Sequence, residues 1–185
     1  MVERKQRVPL CDLSTLSAED REMAEKNRIE GKVPNIFATL VNHPKLARSW
    51  LRFAGYILSR QTLPARDREL AILRIGWLNQ APYEWEQHVR VGRQCGISDQ
   101  EIERIKQGPG AGWNPHDAAI LRACDELYEN SVVSDETWSA LAQRYNTQQM
   151  MDLVFTIGQY NLVSWALNSL GVPLDDFLPG AKKAR

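Results

Sequence analysis

From Ala18 to Gly171 the apolar residues of this chain recur at intervals of three and four, and nowhere do they alternate over the length of a strand. A chain patterned in this way is confined to packed helices. Ser17-Ala18-Glu19-Asp20 supplies an N-cap serine with acids in the first turn, which predicts a helix from about 18 to about 30 that stops at Gly31. Pro34-Asn35 opens a short apolar run over 36–41. His43-Pro44 interrupts it, because a residue before proline is driven out of the helical region, and a long helix is expected from about 44 to about 60. Leu63 to Glu69 looks like the charged entrance of a helix that becomes apolar nearly all round from Leu70 to Leu78, the pattern of a buried helix. Pro82 suits the first position of a helix over 83–95, stopped by Gly96, and Ser98 with Glu101 forms a capping-box signature for a short helix to about 106.

Gly108-Pro109-Gly110-Ala111-Gly112 is the stretch with the greatest backbone freedom. The remainder of the chain is too short for a natural second domain, so this stretch reads as a loop between helical layers. Asn114-Pro115, Ser134-Asp135-Glu136 and Thr147 then open three more helices, to about 128, to about 145 and to Gly171-Val172-Pro173. The expectation is an all-α single domain over 17–185, preceded by an N-terminal arm over 1–16.

The chain has 185 residues, enough to bury a core without disulfides or metals. Its Lys+Arg 23 and Asp+Glu 23 cancel, and the densest positive run is the tail Lys182, Lys183, Arg185, so a nucleic-acid partner is not expected. The first ten residues carry charges and a proline in place of an apolar leader, and no run of roughly 18 apolar residues occurs. A cytoplasmic protein without a membrane partner is expected. Cys11, Cys95 and Cys124 are odd in number and widely spaced, which argues against a disulfide framework and for small buried hydrophobes. Six tryptophans are spread over the helices as core or interface residues. Apolar helices on so short a chain leave more apolar surface than one copy buries, and a homo-oligomer (dimer, trimer or hexamer) is expected.

Chemistry concentrates between Arg68 and His88. Glu84 and His88 are spaced i,i+4, so they share one helix face with Cβ atoms about 5–6 Å apart, while Trp85 and Val89 form the apolar side that anchors the helix. Glu69 stands at the entrance of an apolar helix, where a lone carboxylate is costly unless paired. The spacing admits three readings: a surface ion pair, an acid/base pair in a cleft, and a metal site that adds Glu69. Elsewhere, His116 reads as a helix-start polar residue and His43 as a turn residue. Tyr56, Tyr160 and Asn161 read as polar groups that need buried hydrogen bonds.

The window from Arg68-Glu69 through Asn79-Gln80-Ala81-Pro82-Tyr83-Glu84 to His88, and more loosely 34–106, resembles the carboxymuconolactone decarboxylase and alkylhydroperoxidase D-like superfamily. In the peroxidase branch a glutamate precedes C-x-x-C-x-x-x-H. Glu69 and His88 match its glutamate and histidine, but the cysteine positions fall on Ala81 and Glu84. Neither forms a thiolate, so the resemblance does not carry the disulfide relay. The branch that includes gamma-carboxymuconolactone decarboxylase also lacks the cysteines and has a glutamate four residues before the histidine, as here. The resemblance implies a helical bundle and a cofactor-independent reaction on a small carboxylated or lactone-type substrate. In it His88 and Glu84 handle the proton, Glu69 orients them, and Arg74 and Tyr83 bind substrate. Two alternatives stand beside it: a residual thiol peroxidase using Cys95 or Cys124, and a non-enzymatic oligomeric binding protein.

Overall fold

In the computed structural model, which describes residues 4–177, one helix runs through the centre of a bundle. This is α4 (Ala65–Leu78), and every residue from Glu69 to Gly76 is buried. Around it stand α5 (Pro82–Gln94), α6 (Asp99–Gln107), α7 (Pro115–Asn130) and α9 (Thr147–Leu170). An apolar circumference on α4 therefore meets helices on several sides, as its sequence requires. The outer layer is α1 (Ala18–Glu25), α2 (Asn35–Leu40), α3 (Pro44–Ser59) and α8 (Asp135–Ala142), and a single 3-10 turn covers Leu13–Thr15. The described residues contain no β-strand; one isolated bridge joins Ile29 and Lys32.

Local chemistry sets the boundaries. Ser98 and Glu101 close the capping box at the start of α6, and Asn146 with Gln149 closes another at the start of α9, where the sequence showed only Thr147. The first helix ends at Glu25, short of Gly31, and Glu30 and Gly31 take positive φ of 51° and 79° in the tight turn between Ile29 and Lys32. α8 likewise stops at Ala142, short of Tyr145. His43 caps α3 by accepting the Leu46 N–H at Nδ1, 3.4 Å away.

Several sequence expectations change here. The glycine-rich segment 108–112 is tied down: Trp113 Nε1–H donates to the Gly108 carbonyl at 3.2 Å, and Arg104 donates to that of Gly112 at 2.9 Å. His116 does more than start a helix. It is buried, with Nε2 3.3 Å from Asp67 Oδ2, an oxygen that also accepts the Tyr145 hydroxyl at 2.6 Å. Only Cys124 of the three cysteines is buried; Cys11 and Cys95 are half-buried. Trp77 and Trp85 meet with ring centroids 5.3 Å apart, so the tryptophans are not all dispersed. Residues 4–16 run against the end of α9 and against α2, with Arg7 and Val8 N–H groups donating to the Leu170 carbonyl and Cys11 N–H to that of Ala38. The basic tail Lys182, Lys183, Arg185 lies outside the described residues. Among those described, no helix is long and apolar enough to cross a membrane.

Candidate active site

A tight reversal between α4 and α5 positions the acidic and basic groups. Gln80 takes a left-handed φ of 51°, Ala81 N–H donates to the Gly76 carbonyl at 3.1 Å, and Pro82 starts α5 where no N–H is needed. At Gly76 an added Cβ would meet Cγ of Glu84 at 3.5 Å, an ordinary van der Waals distance. Farther along α5, Gly92 lets the helix approach so closely that an added Cβ would be 3.1 Å from Leu73 Cδ1. The two helices are thus pressed together with Glu69 of α4 facing His88 of α5.

His88 lies between two carboxylates. Its Nδ1 is 2.6 Å from Glu69 Oε2, and its Nε2 is 3.0 Å from Glu84 Oε1. Glu69 is fully buried, with its other oxygen accepting from Arg68 Nε at 3.0 Å. The contact with Glu84 differs in kind. It is a close ion pair without hydrogen-bond alignment, and Glu84 Oε1, although buried, has no hydrogen-bond partner. Tyr160 of α9 stands edge-on against the imidazole, centroids 4.9 Å apart, and its hydroxyl makes no hydrogen bond among the described residues.

Burial opposes the charged imidazole, but Glu69 and then Glu84 outweigh it and push His88 up to about 10. Burial would likewise raise the Glu69 carboxyl, and His88 and Arg68 together hold it below its ordinary value. At neutral pH the centre therefore contains an imidazolium clamped by a carboxylate. The imidazole thus differs from a free one, which exchanges its proton near neutral pH. The surface ion-pair reading fails because all three side chains are buried. The metal reading fits poorly too: both ring nitrogens already face carboxylates, and among the described residues no group of histidine, cysteine or acidic side chains is disposed to hold an ion.

A cavity of about 190 Å³ opens beside this centre. Its polar lining comprises Tyr83, Glu84, Gln87, His88, Arg90 and Gln159, and Ile36, Trp50 and Val163 supply much of the apolar wall. Those three apolar residues also line a neighbouring cavity of about 120 Å³.

The structure brings Glu69, Glu84 and His88 together and sets Tyr83 in the cavity wall, its hydroxyl donating to Asp175 Oδ2 at 2.6 Å. It does not bring Arg74 there. Arg74 grips Asp125 with two nitrogens, at 2.6 and 3.0 Å, and donates to the carbonyls of Ile105 and Lys106, so it staples α4 to α6 and α7 and has no part in the cavity. Substrate binding by Arg74 is thereby corrected: its side chain is fully engaged in holding the bundle. Tyr56 and Asn161 also serve packing, bonded to Asp152 and Asn79. Sequence reasoning missed Arg68, Arg90 and Gln159. Arg68 adjoins Glu69 in the motif, and that adjacency is a signal that could have found it; no sequence signal marks Gln159, which reaches the cavity from the distant helix α9.

Neither cysteine considered for peroxide chemistry is disposed for it. Burial pushes the Cys124 thiol well up, and its Sγ contacts the Ala71 carbonyl at 3.6 Å; burial and then Glu69 push Cys95 up as well.

The bundle, with a central helix that presents a buried glutamate to a histidine on the next helix, has the fold of solved alkylhydroperoxidase AhpD-like structures. Residues 44–123, which include Glu69, Glu84 and His88, match the carboxymuconolactone decarboxylase family. Among solved structures it is similar to an uncharacterized peroxidase-related protein with an alkylhydroperoxidase AhpD core from Ralstonia eutropha JMP134, 20% identical over 92% of each chain with a TM-score of 0.82. It is similar also to an uncharacterized peroxidase-related protein from Silicibacter sp. TM1040, 14% identical over 95% of each chain, TM-score 0.79. A third is a cysteine-to-alanine variant of the debrominase Bmp8 in complex with 2,3,4-tribromopyrrole, 13% identical over 93% of this chain and 92% of that one, TM-score 0.73. No curated protein matches the sequence.

Proposed function

We propose that the protein is a cofactor-independent proton-transfer enzyme acting on a small carboxylated or lactone-type molecule, by decarboxylation or a related enolisation. The observation that carries this reading is the buried Glu84 oxygen without a hydrogen-bond partner, 3.0 Å from an imidazolium nitrogen and facing a cavity. Glu69 and Arg68 fix the Nδ1 side of the ring, which leaves the Nε2 proton for substrate.

In such a reaction the electron pair released as carbon dioxide leaves, or as a proton leaves carbon, is drawn into a neighbouring carbonyl. The resulting enolate takes the Nε2 proton, and His88 recovers a proton from solvent. A donor held near 10 by two carboxylates is too weak to protonate a resting carboxylate, but it is matched to an enolate, the conjugate base of a weak acid. Glu84, whose Oε1 pairs with His88 Nε2 without an aligned hydrogen bond, accepts a proton from carbon in the enolisation variant. The apolar walls favour the loss of carbon dioxide, since an ionised carboxylate loses hydration on entering and its neutral product does not. A small ring compound bound to the debrominase of the same fold is consistent in kind with a small-molecule site here.

The test is incubation of the protein in deuterated water with a panel of oxo acids and carboxylated lactones, followed by NMR for deuterium at carbon and for loss of carbon dioxide. Wild-type protein is expected to catalyse one of these and His88→Gln neither, with helical circular dichroism retained. No catalysis of any compound, or equal catalysis by His88→Gln, sinks the reading and favours a binding protein.

A cytoplasmic homo-oligomer belongs to the same proposal. Met151, Phe155, Leu162 and Trp165, each more than half exposed, follow one another along α9 at helical intervals of four, seven and three, an apolar stripe suited to a second copy of the chain.

A further inference from the structure

The cavity beside His88 carries more unpartnered hydrogen-bonding capacity than proton transfer needs. Gln159 is 4% exposed, and neither its Oε1 nor its Nε2 has a partner. Arg90 lines the same cavity with its Nε buried and unpartnered, and its guanidinium makes no ion pair among the described residues. A buried amide left open at both ends destabilises a fold, as does a guanidinium nitrogen without an acceptor, so two of them on one cavity wall point to something that enters and satisfies them.

Charge specifies part of its chemistry. Glu69 and Glu84 are balanced by Arg68 and the His88 imidazolium. Asp175, which bonds to α5 through Tyr83 and Gln87, also accepts the Asn35 N–H and does not reach Arg90. Among the described residues Arg90 is therefore the uncompensated charge of the cavity, and a carboxylate is the group that a guanidinium fork takes best.

Helix geometry specifies where that carboxylate lies. Arg90 and His88 are two residues apart, so they diverge by roughly 160° around α5, with Gln87 and Val91 on the cavity-facing side between them. A molecule that touches both must cross the width of the helix. The anion held at Arg90 is then separated by several bonds from the carbon that exchanges its proton at His88.

We propose that Arg90 and Gln159 are the substrate-anchoring residues: Arg90 holds a carboxylate remote from the reacting centre, while Gln159 donates from Nε2 to a carbonyl oxygen and accepts a hydroxyl at Oε1. The substrate class is a small hydroxy- or oxo-acid with its acid group distal to the reacting carbonyl. This assignment rests on the proposed function, in which the cavity beside His88 is the substrate site.

Binding can be measured without turnover, using 4-oxopentanoate as an anionic carbonyl probe and 2-pentanone as its neutral counterpart. The readouts are the ring nitrogen shifts of His88 and the Kd by NMR titration. Wild-type protein is expected to bind 4-oxopentanoate more tightly than 2-pentanone and to show the His88 shift. Arg90→Gln should weaken the acid by about tenfold or more and leave the ketone unchanged. Gln159→Leu should weaken both, yet raise the melting temperature, because it removes two unsatisfied buried atoms. That rise separates a recognition role from a structural one, since a residue needed for packing would lower it.

Absence of saturable binding by the wild type, equal affinity for the two probes, or an Arg90→Gln affinity equal to the wild type overturns the proposal. If Arg90 and Gln159 govern binding but no deuterium enters at carbon and no carbon dioxide is released, ligand anchoring by these residues stands and proton-transfer catalysis falls. Catalysis that depends on His88 but is indifferent to Arg90 and Gln159 overturns the anchoring assignment and leaves proton transfer standing.

Discussion

Glu69 and His88, nineteen residues apart in sequence and on different helices, meet at 2.6 Å between Oε2 and Nδ1, with the glutamate wholly excluded from solvent. Such a pair is worth little as net stability, because both partners lose hydration, but removing either one leaves a buried charge without compensation. Its consequence is electrostatic: it holds the ring in one orientation and keeps it charged.

Replacing Glu69 by glutamine should therefore lower the His88 value from about 10 toward the ordinary histidine value of 6.5. It should also destabilise the fold by about 3 kcal/mol. Titration of the ring nitrogens by NMR and urea unfolding check the two effects, and an unmoved histidine would mean that Glu84 alone sustains the charge.

Stability should depend on pH in a defined window. His88 is raised in the folded protein, so its contribution is complete below 6.5 and is lost as pH climbs through about 10. Glu69 is lowered, so its contribution is present above its ordinary 4.5 and is lost as pH falls through its depressed value. Thermal unfolding should show greatest stability between these limits and a decline on the alkaline side. In His88→Gln the alkaline decline attributable to this residue should vanish.

Arg74 should prove structural. Arg74→Met strands Asp125 and the carbonyls of Ile105 and Lys106, and is expected to cost about 3–5 kcal/mol. Binding of 4-oxopentanoate per folded molecule should be unchanged. Gly108→Ala should weaken the same region, because at a φ of 88° its Cβ would lie 2.9 Å from an Arg74 nitrogen. Calorimetry on both variants, with probe titration at a temperature where they remain folded, distinguishes this from a role in the cavity.

The apolar stripe on α9 predicts that Phe155→Glu combined with Trp165→Glu lowers the sedimentation mass without loss of helical signal. A wild-type protein that sediments as a monomer at all concentrations would remove the second-copy assignment.

Much of the candidate site is legible in the sequence because it is local. The i,i+4 spacing of Glu84 and His88 places them on one face of any helix, and Glu69 announces its need for a partner by sitting in an apolar run. Arg74 illustrates the opposite case. Its place in the motif suggests substrate, yet whether a guanidinium faces a cavity or a half-buried aspartate depends on how α4 meets α7, which no spacing records. His116 looks like an ordinary helix start for the same reason: Asp67 and Tyr145, its buried neighbours, come from remote segments.

The amino-acid order alone determined the all-α class, the approximate extent of most helices, several of their caps and the placing of Glu84 and His88 on one helix face, because hydrophobic period, capping and turn chemistry act over a few residues. Tertiary packing decided what those residues are for. Only the closure of α9 over α5 sets Tyr160 against the imidazole and Gln159 in the cavity, and only burial turns a pair of carboxylates into a field strong enough to keep His88 protonated, since the strength of a charge interaction depends on how much water the surrounding fold has removed.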